Sequence, residues 1–333
     1  MMNAPALSRR AFLSSTVGAV AGFELLTAPR HSIAQEGSGH LAIYDLKDLA
    51  ELYRDWSRVR AHDQALPSYA VFEDAVVTCR DAVCAVYVFP QEGGIVSHCG
   101  FVVEIPEEHR SDSSRDRLFI VTCDHASRMR RGIGHEIVLA NGRSIRPKQE
   151  LSPPLDPQTK HPNNDLRILV CDREEFEGTR RFSLQRVDGV TGGAPAVTYE
   201  ALPLRARISR VSNHSNIILS QNGAPGSVPE RFINTEITEP DWRPSEEALA
   251  TRYVELSGFN TAGHLDPGGS GSPVIIFSKT GFSVAGYQVS FGPRSRENPP
   301  KNKIDTGKRE TRGHAAHINH AIELLRGAKY WRD

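Results

Sequence analysis

Three side chains of the kind that together activate a hydroxyl nucleophile stand in separate parts of the chain. Ser270 lies in Asp266-Pro267-Gly268-Gly269-Ser270-Gly271-Ser272-Pro273-Val274, a glycine-rich turn that runs directly into a β-branched segment. Serine is a weak nucleophile unless a base takes its proton, and the base needs a third group to fix its tautomer and support the imidazolium formed. The glycines let the hydroxyl project while backbone N–H groups converge where an oxyanion would develop. Gly268 and Ser270 are the candidate donors. His125 follows the apolar run Leu118-Phe119-Ile120-Val121 in Val121-Thr122-Cys123-Asp124-His125-Ala126, so it emerges where a buried strand gives way to a loop. Asp165 stands in Asn163-Asn164-Asp165-Leu166-Arg167-Ile168-Leu169-Val170, a polar turn opening a strand, where turn N–H groups can hold a carboxylate. Asp124 and Asp172 compete for that role. Asp124 is too close in sequence to reach behind the ring easily and Asp172 lies past the strand, so Asp165 is preferred. Singly, these residues read as a turn, a polar histidine and a cap; the combination points to acyl transfer.

The elements that must position them are short and β-branched. Val76-Val77, Ala85 to Val88, Phe101 to Val103, Phe119 to Val121 and Ile168 to Val170 are bounded by Gly, Pro and polar clusters, and so are Ala196-Val197, Ile217 to Leu219, Val274 to Phe277 and Val284 to Val289. No long helical pattern intervenes between them, which excludes a parallel βαβ arrangement and predicts an all-β barrel architecture. Helical spacing occurs only at the two ends. Leu46, Leu49, Tyr53, Trp56 and Val59 predict one amphipathic helix before the main body, and His314 to Arg326 predicts another at the end, with Ile318, Ala321, Ile322 and Leu325 on one face.

With 40 basic and 40 acidic residues the chain has no net charge, which argues against a nucleic-acid partner. Its start, Ser8-Arg9-Arg10-Ala11-Phe12-Leu13 followed by an apolar stretch to Ala28 and a Ser32-Ile33-Ala34 step, resembles a twin-arginine export signal. That reading divides the chain into a signal (1–34), a helical segment or pro-segment (35–69) and a main domain (70–333). It predicts a periplasmic or secreted protein with no membrane anchor after signal removal. The five cysteines, Cys79, Cys84, Cys99, Cys123 and Cys171, allow at most two bridges in an oxidising compartment. No paired Cys-x-x-Cys spacing supports zinc, and His314, His317 and His320 lack a carboxylate or cysteine to complete a set, so neither metal nor cofactor is expected.

Together the three motifs resemble those of the trypsin-like serine peptidases, in the same His, Asp, Ser order and at spacings of 40 and 105 residues. Gly269-Ser270-Gly271-Ser272-Pro273 and Gly313-His314-Ala315-Ala316-His317-Ile318-Asn319 look most like the bacterial glutamyl endopeptidase and Deg-type members. The likeness implies two six-stranded antiparallel β-barrels flanked by a short N-terminal and a C-terminal helix, with His125 and Asp165 served by the first barrel and Ser270 by the second. It also implies a bridge between Cys99 and Cys123. Val289-Ser290-Phe291-Gly292 looks like the strand that holds substrate backbone, which makes Ser290, Phe291 and Gly292 substrate-binding candidates, with His264 at the base of the specificity pocket. Gly269 replaces the aspartate that pairs with a freed amino terminus in digestive members, so that activation switch is absent. A histidine of the glutamyl enzymes is replaced by Ser290, which leaves side-chain preference open.

The expectation is an exported serine endopeptidase acting on polypeptides through Ser270, His125 and Asp165. A catalytically silent module that binds extended peptides is the alternative, and an esterase using the same chemistry is a third reading. Reactivity of Ser270 towards an electrophile separates the enzymes from the module.

Overall fold

The computed structural model describes residues 42–44, 49–50, 53–54, 57, 66–90, 96–125, 132–141, 143–158, 160, 162–201, 230–242, 257–262, 269–293 and 311–333. Strands dominate, in two antiparallel sheets that follow one another along the chain. The first contains β2 (Val83–Pro90), β3 (Val96–Glu104), β4 (Arg117–Thr122), β5 (Gly132–Val138), β6 (Ser144–Ile145), β7 (Gln149–Leu151) and β8 (Arg167–Asp172), in the order β6-β5-β2-β3-β4-β8-β7. Its two end strands, β6 and β7, are joined by residues 146–148 alone. So short a link spans only about 14 Å, and the sheet must curl for its ends to meet. The short β9 (Phe182–Ser183), from the segment linking the barrels, runs parallel to β3.

The second sheet holds β10 (Pro195–Ala201), β11 (Glu230–Trp242), β12 (Gly258–Ala262), β13 (Pro273–Phe277), β14 (Phe282–Pro293) and β15 (Thr311–His317). β11 pairs with β10 on one edge and with β12 on the other, which closes these six strands into a ring, and β1 (Ala42–Tyr44) joins the β11 edge. The all-β, double-barrel expectation is met. The count of six strands per barrel holds for the ring of the second; the sheets as a whole contain eight and seven, because β9 and β1 are recruited from flanking segments.

Val76-Val77, expected as a strand, lies instead in helix α1 (Tyr69–Ala82). The β-branched pair suggests extended backbone, but Phe72, Ala75, Val76, Cys79 and Ala82 recur at helical spacing and are all buried. Ser68 caps the helix by accepting the Val71 N–H at 3.3 Å. Phe72 stacks on Phe277 of the second barrel at 5.9 Å while the same helix packs on β2 and β3, so α1 braces both barrels. Of the earlier helix, Leu49 and Tyr53 are helical and pack on the core, whereas Leu46, Trp56 and Val59 lie outside the described residues, as does the expected strand at Ile217 to Leu219.

The final helix α2 is Asn319–Gly327, shorter than the expected span from His314. His314 to His317 belong to β15, where they pair with both β12 and β14; two ladders of hydrogen bonds outweigh the local helical spacing. α2 buries Ala321, Ile322 and Leu325, and the tail beyond it returns to the first barrel, with Tyr330 edge-on to Phe119 at 5.2 Å and Trp331 stacked on His109 at 4.6 Å. Among the described residues no helix is long and apolar enough to cross a membrane.

Candidate active site

β4 ends at Thr122 and β8 begins at Arg167, and these two residues are partners in the antiparallel register. His125 therefore leaves the sheet beside the segment that carries Asp165. Asp165 is 1% exposed, and its carboxylate is satisfied from one direction. Oδ1 accepts the backbone N–H groups of Asp124 and His125, each at 2.8 Å, and Oδ2 accepts the His125 Nδ1–H at 2.7 Å. Three such bonds to a carboxylate are charge-assisted and fix the ring with Nε2 as the working nitrogen. Of the three aspartates weighed from the sequence, Asp165 is the one whose carboxylate meets His125 Nδ1. Asp124 turns away to Arg167 and Asp172 pairs with Arg117 and Lys148.

The serine turn reaches this place through the backbone. The Cys99 N–H donates to the Ser270 carbonyl at 2.8 Å, and the Cys99 carbonyl accepts the Thr122 hydroxyl at 2.6 Å, three residues before His125. Gly271 has φ +87°, and a Cβ there would strike the Cys99 carbonyl and the Thr122 hydroxyl. Only glycine permits both that backbone conformation and so close an approach between the barrels. On its other side the turn is tied to β14, with Gly271 N–H donating to Gln288 O at 2.7 Å and Gln288 N–H to Ser272 O at 2.9 Å. Ser270 itself is partly exposed.

Nε2 of His125 meets the Cys123 thiol, with Sγ at 3.9 Å. Burial opposes charging of the ring, yet Cys123 and Asp165 outweigh it and hold the His125 pKa well above the ordinary imidazole value. Burial in turn pushes the Cys123 thiol up. Catalytic hydrogen bonds are commonly loose in the unliganded state and tighten when substrate arrives, so a thiol contact at Nε2 is compatible with a base for Ser270.

The expected bridge between Cys99 and Cys123 is not formed: all five cysteines are buried and none is in a disulfide. Cys99 remains within β3 with its backbone engaged by Ser270 and Thr122, while Cys123 has left β4 and turned its sulfur to His125.

Ser290, Phe291 and Gly292 lie on β14, paired on one side with His314, Gly313 and Arg312 of β15. On the other side, pairing with β13 stops at Pro273 opposite Tyr287 and continues only as the two Gln288 bonds to the serine turn. Beyond that point no strand among the described residues covers this edge, which begins next to Ser270. Gly268 and His264 lie outside the described residues. His314 and His317 lie on a strand rather than the expected helix; His314 Nδ1 meets Asn260 Oδ1 at 2.6 Å, and Asn260 donates to Glu239 at 2.6 Å. A cavity of about 650 Å³ opens between α1, residues 178–185 and the start of β14, and none of the residues named above for catalysis lines it.

Sequence reasoning passed over Arg167 as a partner of Asp124. Its signal was an arginine opening a strand whose next four residues, Ile168 to Cys171, are all apolar and buried.

No family model matches the chain, and no curated protein does. Solved structures similar to it include the active form of the Rv3671c protease from M. tuberculosis, at 14% identity over 79% of this chain and 87% of that one, with a TM-score of 0.46. The protease Anisep from Arthrobacter nicotinovorans matches at 10% identity over 74% and 96%, with a TM-score of 0.43. A Glu endopeptidase in complex with MPD matches at 11% identity over 75% and 91%, with a TM-score of 0.44.

Proposed function

We propose that the chain is a serine endopeptidase in which Ser270 attacks the scissile carbonyl, His125 takes the proton and returns it to the leaving amine, and Asp165 holds the ring. The observation that carries this reading is the 2.7 Å contact between His125 and a buried Asp165, with the Ser270 turn hydrogen-bonded one strand away. The Ser270 N–H, with Gly268 as the expected second donor, faces the developing oxyanion. An extended peptide adds as a strand along Ser290 to Gly292, on the side where no strand among the described residues pairs, and its scissile bond falls at Ser270. A long apolar side chain has no charge to satisfy there and a charged one does, so side-chain preference is a matter for measurement. Export through the twin-arginine route, carried by Ser8-Arg9-Arg10-Ala11-Phe12-Leu13, belongs to the same proposal.

The test is labelling of the mature protein with a fluorophosphonate, followed by mapping of the modified residue by mass spectrometry. Labelling at Ser270 that disappears in Ser270→Ala and in His125→Ala is the expected result. A wild-type protein that stays unlabelled, with or without its amino-terminal segment, turns the assignment towards a silent peptide-binding module.

A further inference from the structure

Behind the His125–Asp165 pair the first barrel contains a chain of polar and charged side chains that the reaction itself does not use. The register places Arg167 opposite Thr122, Glu150 opposite Leu169, His135 opposite Val88 and His98 opposite Val86, so all four share the sheet face that carries the buried Ile120 and Ile137, with Glu150 exposed on the end strand β7. Arg167 donates twice to Asp124 Oδ1, from Nε at 2.9 Å and from Nη2 at 2.6 Å, and from Nη1 to Glu150 Oε2 at 2.5 Å. Glu150 Oε1 then meets His135 Nδ1 at 2.5 Å. Asp124 is fully buried. A carboxylate without solvent demands a partner, and a buried ion pair is often no more stabilising than two apolar residues, so its presence beside a reactive centre calls for a reason.

Asp124 supplies one. Its N–H and that of His125 are the two donors on Asp165 Oδ1, while its side chain is drawn the opposite way by Arg167. The guanidinium thus anchors the peptide that presents both donors. It also cancels a second carboxylate that would otherwise stand next to the base. We propose that the Asp124–Arg167 pair is a positioning and charge-balancing device for the His125–Asp165 pair, holding its geometry while keeping the second carboxylate silent to the imidazole. The inference builds on the peptidase reading.

The other groups around the ring leave this role to Arg167. Cys123 lies on the same segment and Asp165 is the direct partner. His98 approaches from β3 with neither ring nitrogen hydrogen-bonded among the described residues, and burial together with His125 and His135 lowers its pKa to about 3, so it carries no charge at neutral pH. Tyr287 approaches from β14, and burial with the nearby Asp165 pushes its hydroxyl further from ionisation. Among the described residues, the charged side chains of this group that differ in sign are Asp124 and Arg167, with Glu150 on the far side of the guanidinium.

The experiment follows the His125 ring by NMR titration and, in parallel, the pH dependence of fluorophosphonate labelling, in Asp124→Asn, Arg167→Met and the double variant. Asp124→Asn keeps the acceptor for Arg167 and removes one of the two carboxylates on the guanidinium, so the local balance becomes more positive and the His125 titration midpoint falls. Arg167→Met removes the positive charge from beside Asp124 and raises it. Each shift is expected at about one pH unit, on the order of a tenfold change in the neutral fraction below the midpoint, and the double variant returns to the wild-type position. Opposite shifts that cancel are beyond a purely structural role, which moves both variants the same way or neither. Shifts of equal sign, no shift, or a double variant that sums two losses overturn the proposal. Should Arg167→Met fail to fold, Asp124→Asn and the double variant still decide it. A wild-type protein that never labels at Ser270, with the opposite midpoints intact, sinks the peptidase reading and leaves the charge balance standing.

Discussion

Among the described residues, the first barrel sets Arg167 and His135 beside His98, with the more exposed Glu150 bonded to both, whereas the second barrel's buried cluster is Ala196, Ile237, Phe259, Val274, Ala285 and Ala315, with the uncharged Gln288 bonded to Thr198 and Thr261. On the proposed mechanism, the charged group lies behind the residue that gains and loses a proton, and the uncharged cluster of described residues lies behind the one that must only be held still. A base is governed by field as well as position, so the first barrel is built with counter-charges; a serine hydroxyl on a turn is governed by placement, which close packing supplies. Gly286 shows the second strategy, since a Cβ there would strike the Ala316 carbonyl and lie 2.9 Å from the Phe259 ring.

The comparison breaks most sharply at Asp165. Asp165→Asn keeps the shape but puts a donor where Nδ1–H needs an acceptor, and turnover is expected to fall by about 10⁴. Steady-state rates checked alongside thermal unfolding separate this from a folding defect: the rate collapses while the melting temperature moves little. A loss of less than tenfold would remove Asp165 from the site.

Gly271→Ala tests placement rather than field. The added methyl meets the Cys99 carbonyl and the Thr122 hydroxyl at a positive φ, so the serine turn has to lift away from β3. Ser270 labelling is expected to fall by at least two orders of magnitude, with the His125 NMR titration unchanged, because no charge near the ring is altered. Phe259→Ala, deep in the neutral barrel, is expected to destabilise the fold by about 3–5 kcal/mol in denaturant melts, again with no change in the His125 midpoint. A midpoint that moved with Phe259 would show that the two interiors are not separate.

Much of this division was legible in the amino-acid sequence, and what was not has a physical pattern. His125, Asp165 and the Ser270 turn sit at junctions between apolar runs and polar turns, where local chemistry and local structure agree. The β-strands flanking them were legible for the same reason. β5, β11, β12 and β15 were not, because their residues mix glycine, charge and polar groups, and they are strands only by virtue of neighbours far along the chain. Val76-Val77 misled in the other direction: two β-branched residues in a helix whose buried face decides the matter. The Arg167–Asp124 pair joins residues 43 positions apart through the register of β4 with β8, and no local pattern announces such a pairing. The Cys99–Cys123 bridge failed because it came from likeness alone, with the sulfur of Cys123 directed to His125 instead.

That sulfur sets the smallest and most discriminating effect. Cys123 is among the groups that raise the His125 pKa against the opposing influence of burial. The base works only as neutral imidazole, so a raised pKa means that activity is lost as pH falls through that raised value. Cys123→Ala removes part of the upward influence, and the acid limb of the labelling rate is expected to move to lower pH, with the rate at high pH within a few-fold of wild type. Stability moves in the complementary sense. The raised folded-state pKa contributes stability that is fully present below the unfolded value of about 6.5 and is lost as pH rises through the folded value, so the variant should lose stability on the acid side and match wild type on the alkaline side. Paired labelling and denaturant melts across the pH range check both. If the acid limb moves the other way, the thiol is serving as a desolvating wall rather than as a partner for Nε2, and the charge control of the base falls to Asp165, Asp124 and Arg167 alone.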